Sequence, residues 1–301
     1  MSRRDMIYRN LDIIENILWD VVFQVKMVKD KNYRDTMYHN KIFNNKYKGE
    51  ACFILGNGPS LKEEQNLEFL KNHYVFTVNQ LYRSEIFNIV QPNFHLMVDP
   101  LFFSLRENEP SENDTLQRIK NLSSYENLTL ILPYTSKQFI ENNHIGNKTN
   151  IYIESRYRSY DGFKRKIRMD KYMPQVQTVV HAAIYCAIYM GFSKIYLLGC
   201  DMTGILENYV KSTKDQDNEK FIHVYGYNEQ EKERIRKVHQ MNDNEIMLKS
   251  YATMFSVFRN IHDYCDRNGI QIYNTTQGGA LDNLPKLSLD EVLSELGEDI
   301  K

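Results

Sequence analysis

A series of short apolar runs, each stopped by a polar or glycine-containing turn, constrains this chain more than any other feature. They occupy residues 51–55, 74–78, 94–98, 128–132, 151–153, 194–198 and 270–273, all of strand length. Helical stretches lie between them. Residues 178–190 (TVVHAAIYCAIYM) are mainly apolar, and a second helix spans about 242–267 before a Gly278-Gly279 turn. Strands joined by helical crossovers require a mostly parallel sheet covered on both faces. The expected fold class is therefore α/β, Rossmann-like, with helices on either side of the sheet.

Two regions break the rhythm. In residues 1–48, Ile7, Leu11, Ile14, Ile17, Leu18, Val21 and Val22 recur at helical spacing, which predicts an amphipathic helix of about four turns. The same region carries ten Lys/Arg against six Asp/Glu, so it reads as a helical, basic appendage to a catalytic domain over 49–301. Such a helix lies on an anionic membrane surface, packs on the domain, or pairs with a second subunit. The charged stretch 208–240 reads as part of a flap bounded at about 204–240.

Composition excludes several classes. A formal charge of −1 over 301 residues gives no field for nucleic acid. Cys52, Cys186, Cys200 and Cys265 show no metal or disulfide spacing and suit reduced thiols of a cytoplasmic protein. No run reaches the length of a membrane span, and no signal peptide opens the chain.

Open α/β sheets bind ligands beyond the carboxyl ends of their strands. Gly56-Asn57-Gly58-Pro59-Ser60 sits at that edge after the first strand. Gly56 and Gly58 permit close approach, Pro59 stiffens the turn, and Ser60 with Glu63 has capping-box spacing. The stretch fits a phosphate cradle at a helix start and equally a tight structural turn. Asn79 with Gln80, Asp99 and Asp201 end further strands, and their convergence on one edge points to a ligand crevice. His181, on the apolar helix, reads as a core residue. Arg156, Arg158, Lys164, Arg165, Lys166, Arg168 and Lys171, interleaved with tyrosines, read as an anionic-acceptor patch or a solvated charged face.

The motifs, taken in order, resemble known families. Gly56-Asn57-Gly58-Pro59-Ser60-Leu61, Val78-Asn79-Gln80 and Asp99-Pro100 resemble donor-site motifs of the Campylobacter-type sialyltransferases, glycosyltransferase family 42. The stretch 178–202, ending GCDM, and IYNTTQGGALDNLPKLSLDEVL (272–293) resemble more closely a related bacterial and archaeal family. That family includes flagellar motility accessory factors, thought to transfer nonulosonic sugars, and archaeal 6-hydroxymethyl-dihydropterin pyrophosphokinases. By this resemblance Asn57, Gly58 and Ser60 hold the donor's phosphate and sugar, Asn79 contacts its nucleotide, and His223 is the catalytic flap histidine. Thr178 aligns, but Val176 and Val179 stand where the sialyltransferases have an arginine and a serine. Met202-Thr203 replaces the tyrosine after their Gly-x-Asp, for which Tyr225 or Tyr227 substitutes.

The resulting expectation is an inverting, metal-independent glycosyltransferase without a cofactor. Its donor is a nucleotide-activated sugar, a CMP-linked nonulosonic acid such as sialic acid, and its acceptor a glycan or glycolipid in bacterial surface-glycan assembly (lipopolysaccharide, capsule or flagellin). It works in the cytoplasm, with peripheral inner-membrane contact or homo-oligomerisation through the first helix. The alternative is a Mg²⁺-dependent pyrophosphokinase moving diphosphate from ATP to a small alcohol such as a hydroxymethylpterin, with Asp99 and Asp201 as metal candidates.

Overall fold

The computed structural model describes residues 3–105, 110–146, 150–158, 165–204 and 244–300. Among these residues a single sheet contains β1 (Ala51–Leu55), β2 (Tyr74–Val78), β3 (Phe94–Leu96), β4 (Thr129–Pro133), β5 (Ile151–Tyr157), β6 (Tyr172–Pro174), β7 (Lys194–Leu198) and β8 (Gln271–Asn274). Every pairing is parallel, and the order is β6-β5-β4-β3-β2-β1-β7-β8. The chain thus steps outward from β1 to β6, then returns to place β7 on the other side of β1. The reversal makes the β1–β7 seam the topological switch point, where open α/β sheets leave a ligand crevice. The fold is the expected α/β, Rossmann-like one.

Burial on both faces explains why the inner strands read as unbroken apolar runs. Between β2 and β5 the chain forms the helices α3 (Glu85–Val90), α4 (Pro110–Asn121) and α5 (Lys137–Asn142). Cys52 and Ile54 of β1 face a core shared with α6 (Val179–Met190) and α7 (Asn244–Arg267). Phe53 and Leu55 face the opposite core, completed by Leu61, Leu70, Leu81 and α8 (Leu289–Glu295). All twelve residues of α6 are buried, so that helix is apolar all round.

Three elements differ from the sequence expectation. The run 94–98 yields only a three-residue strand. β6 is a short strand that no apolar run announced. The first helix, α1 (Arg3–Lys29), has 27 residues rather than four turns, and α2 (Lys31–His39) follows, its N-cap Asp30 accepting from the Tyr33 N–H at 2.9 Å.

These two helices lie against the β5–β6 end of the sheet. Phe23, Met27, Tyr33 and Met37 join Tyr152 and Tyr172 in one cluster. The Asn16 amide donates to the Arg158 carbonyl at 3.1 Å and accepts from its N–H at 2.7 Å, satisfying backbone just past β5. Buried Glu154 accepts from Tyr33 Oη at 2.5 Å and pairs with Lys26 at 3.3 Å. Three arginines of the basic cluster serve this docking, and a fourth is paired locally. Arg158 pairs with Glu15 at 2.9 Å, Arg165 with Asp20 at 2.6 Å, Arg168 with Asp170 at 2.5 Å, and Arg156 lies over the Trp19 ring. Those arginines answer carboxylates or an indole of the chain itself. Among the described residues no helix is long and apolar enough to cross a membrane. All four cysteines are free and buried.

Candidate functional site

The loops leaving β1 and β7 interlock at backbone distance. Gly56 N–H donates to the Leu198 carbonyl and Gly58 N–H to the Gly199 carbonyl, both at 2.8 Å. A β-carbon on Gly58 would lie 1.6 Å from Asp201 Oδ2, and one on Gly56 2.4 Å from the Gly199 oxygen. Gly199 has φ +62° and lies directly under Leu61. The glycines that suggested close ligand approach are thus required by the meeting of two loops of the same chain.

Ser60 is where sequence and structure part most clearly. Pro59–Lys62 is a single 3₁₀ turn whose N-cap is Gly58, without a side-chain cap bond. Ser60 instead turns both its donors on Asp201, Oγ–H to Oδ2 at 2.8 Å and N–H to Oδ1 at 3.2 Å. Burial raises the Asp201 pKa, while the Ser60 donors pull against it. The third wall comes from the segment after β8. The Cys200 N–H donates to Thr276 Oγ1 at 2.9 Å, and the Ala280 N–H to the Asp201 carbonyl at 2.7 Å. Thr275 and Asn274, also buried, bond to the Leu197 and Leu281 carbonyls. The threonines were visible in the Thr275-Thr276-Gln277-Gly278-Gly279 motif, but nothing local showed that they brace the β7 loop.

Among the described residues, three buried acceptor atoms along this edge have no partner: Asn57 Oδ1, Asn79 Oδ1 and Glu64 Oε1. Leu55 of β1 is in register with Thr77 of β2, so Asn57 and Asn79 stand two residues past a matched pair on adjacent strands. Asn79 has φ +47° and Met202, next to Asp201, φ +51°. Both are left-handed non-glycine residues at the strand-end edge, a backbone state that collects at functional sites. Glu64 has its pKa raised by burial first, then by the charges of Asp290 and Asp201, with the Gln277 backbone opposing.

The remaining expected residues divide. Gln80 accepts from Arg83 Nη1 at 2.6 Å, and Thr178 caps α6 by accepting the Val180 N–H at 3.4 Å. Asp99 caps the turn Pro100–Phe103, accepting from the Leu101 N–H at 3.0 Å. It follows β3, two strands removed from the β1–β7 seam on the β2 side, so about 14 Å of sheet separates it from Asp201. One ion cannot be held directly by both. His223 and Tyr225, and the flap beyond residue 204, lie outside the described residues.

Two of the described histidines are wholly buried. His181 accepts the Gln177 N–H at Nδ1, 3.3 Å away, and its ring meets Phe258 edge-on at 4.3 Å. Its Nε2 has no partner among the described residues, and burial lowers its pKa to about 3, which suits a core residue and not a proton acceptor near neutral pH. His95, hidden within an apolar run of the sequence, lies 2.8 Å from Thr77 Oγ1 through Nδ1. Burial lowers its pKa to about 3 as well, with a small opposing effect from the Asn79 backbone. That places a neutral imidazole beneath Asn79.

Comparison with known proteins gives three findings. A family model described as 6-hydroxymethylpterin diphosphokinase MptE-like matches residues 30–205, which include the β1, β2, β3 and β7 strand ends. Among solved structures, the sialyltransferase CstII from Campylobacter jejuni, in complex with a substrate analogue, cytidine-5′-monophosphate, is similar at 17% identity and a TM-score of 0.45, over 84% of this chain and 89% of that one. No curated protein matches.

Proposed function

The chain belongs to the MptE-like family, and from that premise and the switch-point crevice we propose that it is a transferase acting on a nucleotide-linked donor, with glycosyl transfer as its reaction. The observation that carries this reading is the character of the unpartnered atoms. Asn57 Oδ1 and Asn79 Oδ1 are acceptors in register at adjacent strand ends, and hydroxyls and exocyclic amines are what a nucleoside and a sugar offer to acceptors. The Ser60 N–H and O–H, the donors a bare phosphate would want, are already given to Asp201.

In this reading Gly56–Ser60, Asn79 and Gln80 border the donor, a CMP-linked nonulosonic acid, and Asp201 fixes the loop through Ser60. The acceptor, a hydroxyl of a surface glycan or glycolipid, attacks the anomeric carbon. The phosphate oxygen leaves with the electrons of the glycosidic bond, and His223 takes the hydroxyl proton, a role its side chain suits without large tuning. Free, buried thiols suit a cytoplasmic setting.

One specific observation favours a second reading, diphosphate transfer from ATP with release of AMP. The matching family is named for that chemistry, and Glu64, whose pKa the Asp201 charge helps to raise, brings a second carboxylate toward the crevice, with an oxygen that has no partner among the described residues. These two residues, not Asp99, would hold Mg²⁺, an ion that commonly takes one or two carboxylates together with substrate phosphates. When bound it would neutralise phosphate charge.

The full chain should be incubated with CMP-, UDP- and GDP-sugars and with ATP, each with Mg²⁺ and with excess EDTA, following thermal stability and then products by mass spectrometry. Stabilisation by a CMP-sugar and sugar transfer in EDTA are expected. His223→Ala should then lower turnover at least about a hundredfold with nucleotide affinity kept. Stabilisation by ATP alone, dependent on Mg²⁺ and accompanied by AMP release, would replace glycosyl transfer with the second reading.

A further inference from the structure

The outer face of α1 carries an unbroken 4-3 apolar repeat that nothing among the described residues covers. Ile7, Ile14, Val21 and Val28 recur every seven residues, and Leu11, Leu18 and Val25 fall between them, always four after one and three before the next. All seven are exposed, from 45% at Val25 to 76% at Val28. The helix does not need this face for docking. It meets the sheet with Asn16, Phe23 and Met27, which are buried, and with Glu15, Asp20 and Lys26, which are paired.

We propose that this seam packs against the same helix of other copies of the chain, making α1 the assembly element of a homo-oligomer. A spacing of 3.5 residues sustained for three heptads is the coiled-coil period. Leu11, Leu18 and Val25 take the a positions and the β-branched residues the d positions. Tyr8, Ile17 and Val22 flank the seam at e and g and are exposed too. At roughly 100 Å² for a half-exposed aliphatic side chain, the seam and its flanks offer on the order of 1,000 Å² per copy. A standard interface uses about 800 Å² per partner.

Charge selects a second copy over a lipid surface. The exposed residues from Met6 to Val28 include no Asp, Glu, Lys or Arg, whereas a helix on anionic lipid carries Lys and Arg beside its apolar face. On the sheet edge beside the helix, Arg158 and Arg165 are paired with Glu15 and Asp20. Leucine at two of the three a positions with β-branched residues at d favours trimers and tetramers over dimers, and the apolar Tyr8, Ile17 and Val22 beside the seam widen the contact toward four strands.

Sedimentation velocity on the full chain tests this, beside Leu11→Glu/Leu18→Glu. Both positions are exposed within one copy, so the variant should keep its far-UV circular dichroism, its Tm falling only by what association contributes. Wild type is expected to sediment as a tetramer at micromolar concentration and the variant as a monomer. A wild-type dimer dissolved by the same change would retain the seam and overturn the four-stranded packing. A monomeric wild type overturns the proposal. So does an oligomer that survives the double change with its fold intact. Co-sedimentation with phosphatidylcholine/phosphatidylserine vesicles by a monomeric wild type, lost in the variant, would assign the seam to lipid.

Discussion

Gly58 and Asp201 compete for the same space: a β-carbon on the glycine would stand 1.6 Å from a carboxylate oxygen of the aspartate. The backbone of Gly58, at φ −64°, is open to any residue, so space alone excludes a side chain. The first loop of the sheet is shaped by a residue delivered much later in the chain.

Gly58→Ala is accordingly expected to destabilise the protein before any ligand is considered. Overpacking of this kind costs about 1–3 kcal/mol, a Tm loss of several degrees in a chain of this size. In an Asp201→Ala background the loss should shrink without vanishing, because the Gly199 carbonyl also lies 2.6 Å from the added carbon. Denaturation of the four proteins in a double-mutant cycle checks this. Strict additivity would show that Asp201 is not the obstacle.

Asp201 should also leave a mark on the pH dependence of stability. Its folded pKa is raised above 3.8, so just above that value the native state binds more protons than the unfolded one. Stability therefore falls as pH rises through the folded pKa. Asp201→Asn is expected to remove that slope and to be at least as stable at pH 7, while losing activity. A neutral-pH Tm well below wild type would mean that the carboxylate is structural.

His95 and His181 act in the opposite direction. Each is held neutral in the fold, with a pKa near 3 against about 6.5 unfolded. Their contribution is fully present above about pH 6.5 and is lost as pH falls toward 3. His181→Gln cannot charge, so the acid limb of its Tm–pH curve should be shallower than that of wild type. Parallel curves would contradict the buried, neutral state.

At Asn79 conformation and chemistry can be separated. Glycine adopts φ +47° without strain, so Asn79→Gly should match or exceed wild type in Tm. Loss of the amide should weaken nucleotide binding about tenfold, the value of one hydrogen bond. Calorimetric titration with the nucleotide that stabilises wild type gives the answer. Unchanged affinity would place the ligand elsewhere.

The sequence revealed most where burial is continuous. β1, β2 and β7 are covered on both faces and so stand out as apolar runs, and their ends locate the crevice. β6 escaped notice because three residues ending in Pro174, set in a basic cluster, carry no strand pattern. Ser60 has the spacing of a local cap, yet its partner lies 141 residues away, a choice no local pattern encodes. His95 was lost within an apolar run because neutral imidazole packs as readily as an aromatic. Arg156, Arg158 and Arg165 suggested a ligand patch since their partners, Trp19, Glu15 and Asp20, lie far back in the chain.

The β1–β7 seam also sets a timetable. β1 finds its second neighbour only when residues roughly 140 positions later have emerged, which at ribosomal speed is on the order of ten seconds. Until then one flank of the central strand, with its row of unpaired amides and carbonyls, is an open edge available to any other extended chain. The crevice that β7 completes is thus absent from the nascent amino-terminal half, and a ligand bound there can reward only the finished molecule. The central strand is the part of this protein most exposed to misassembly while it is being made.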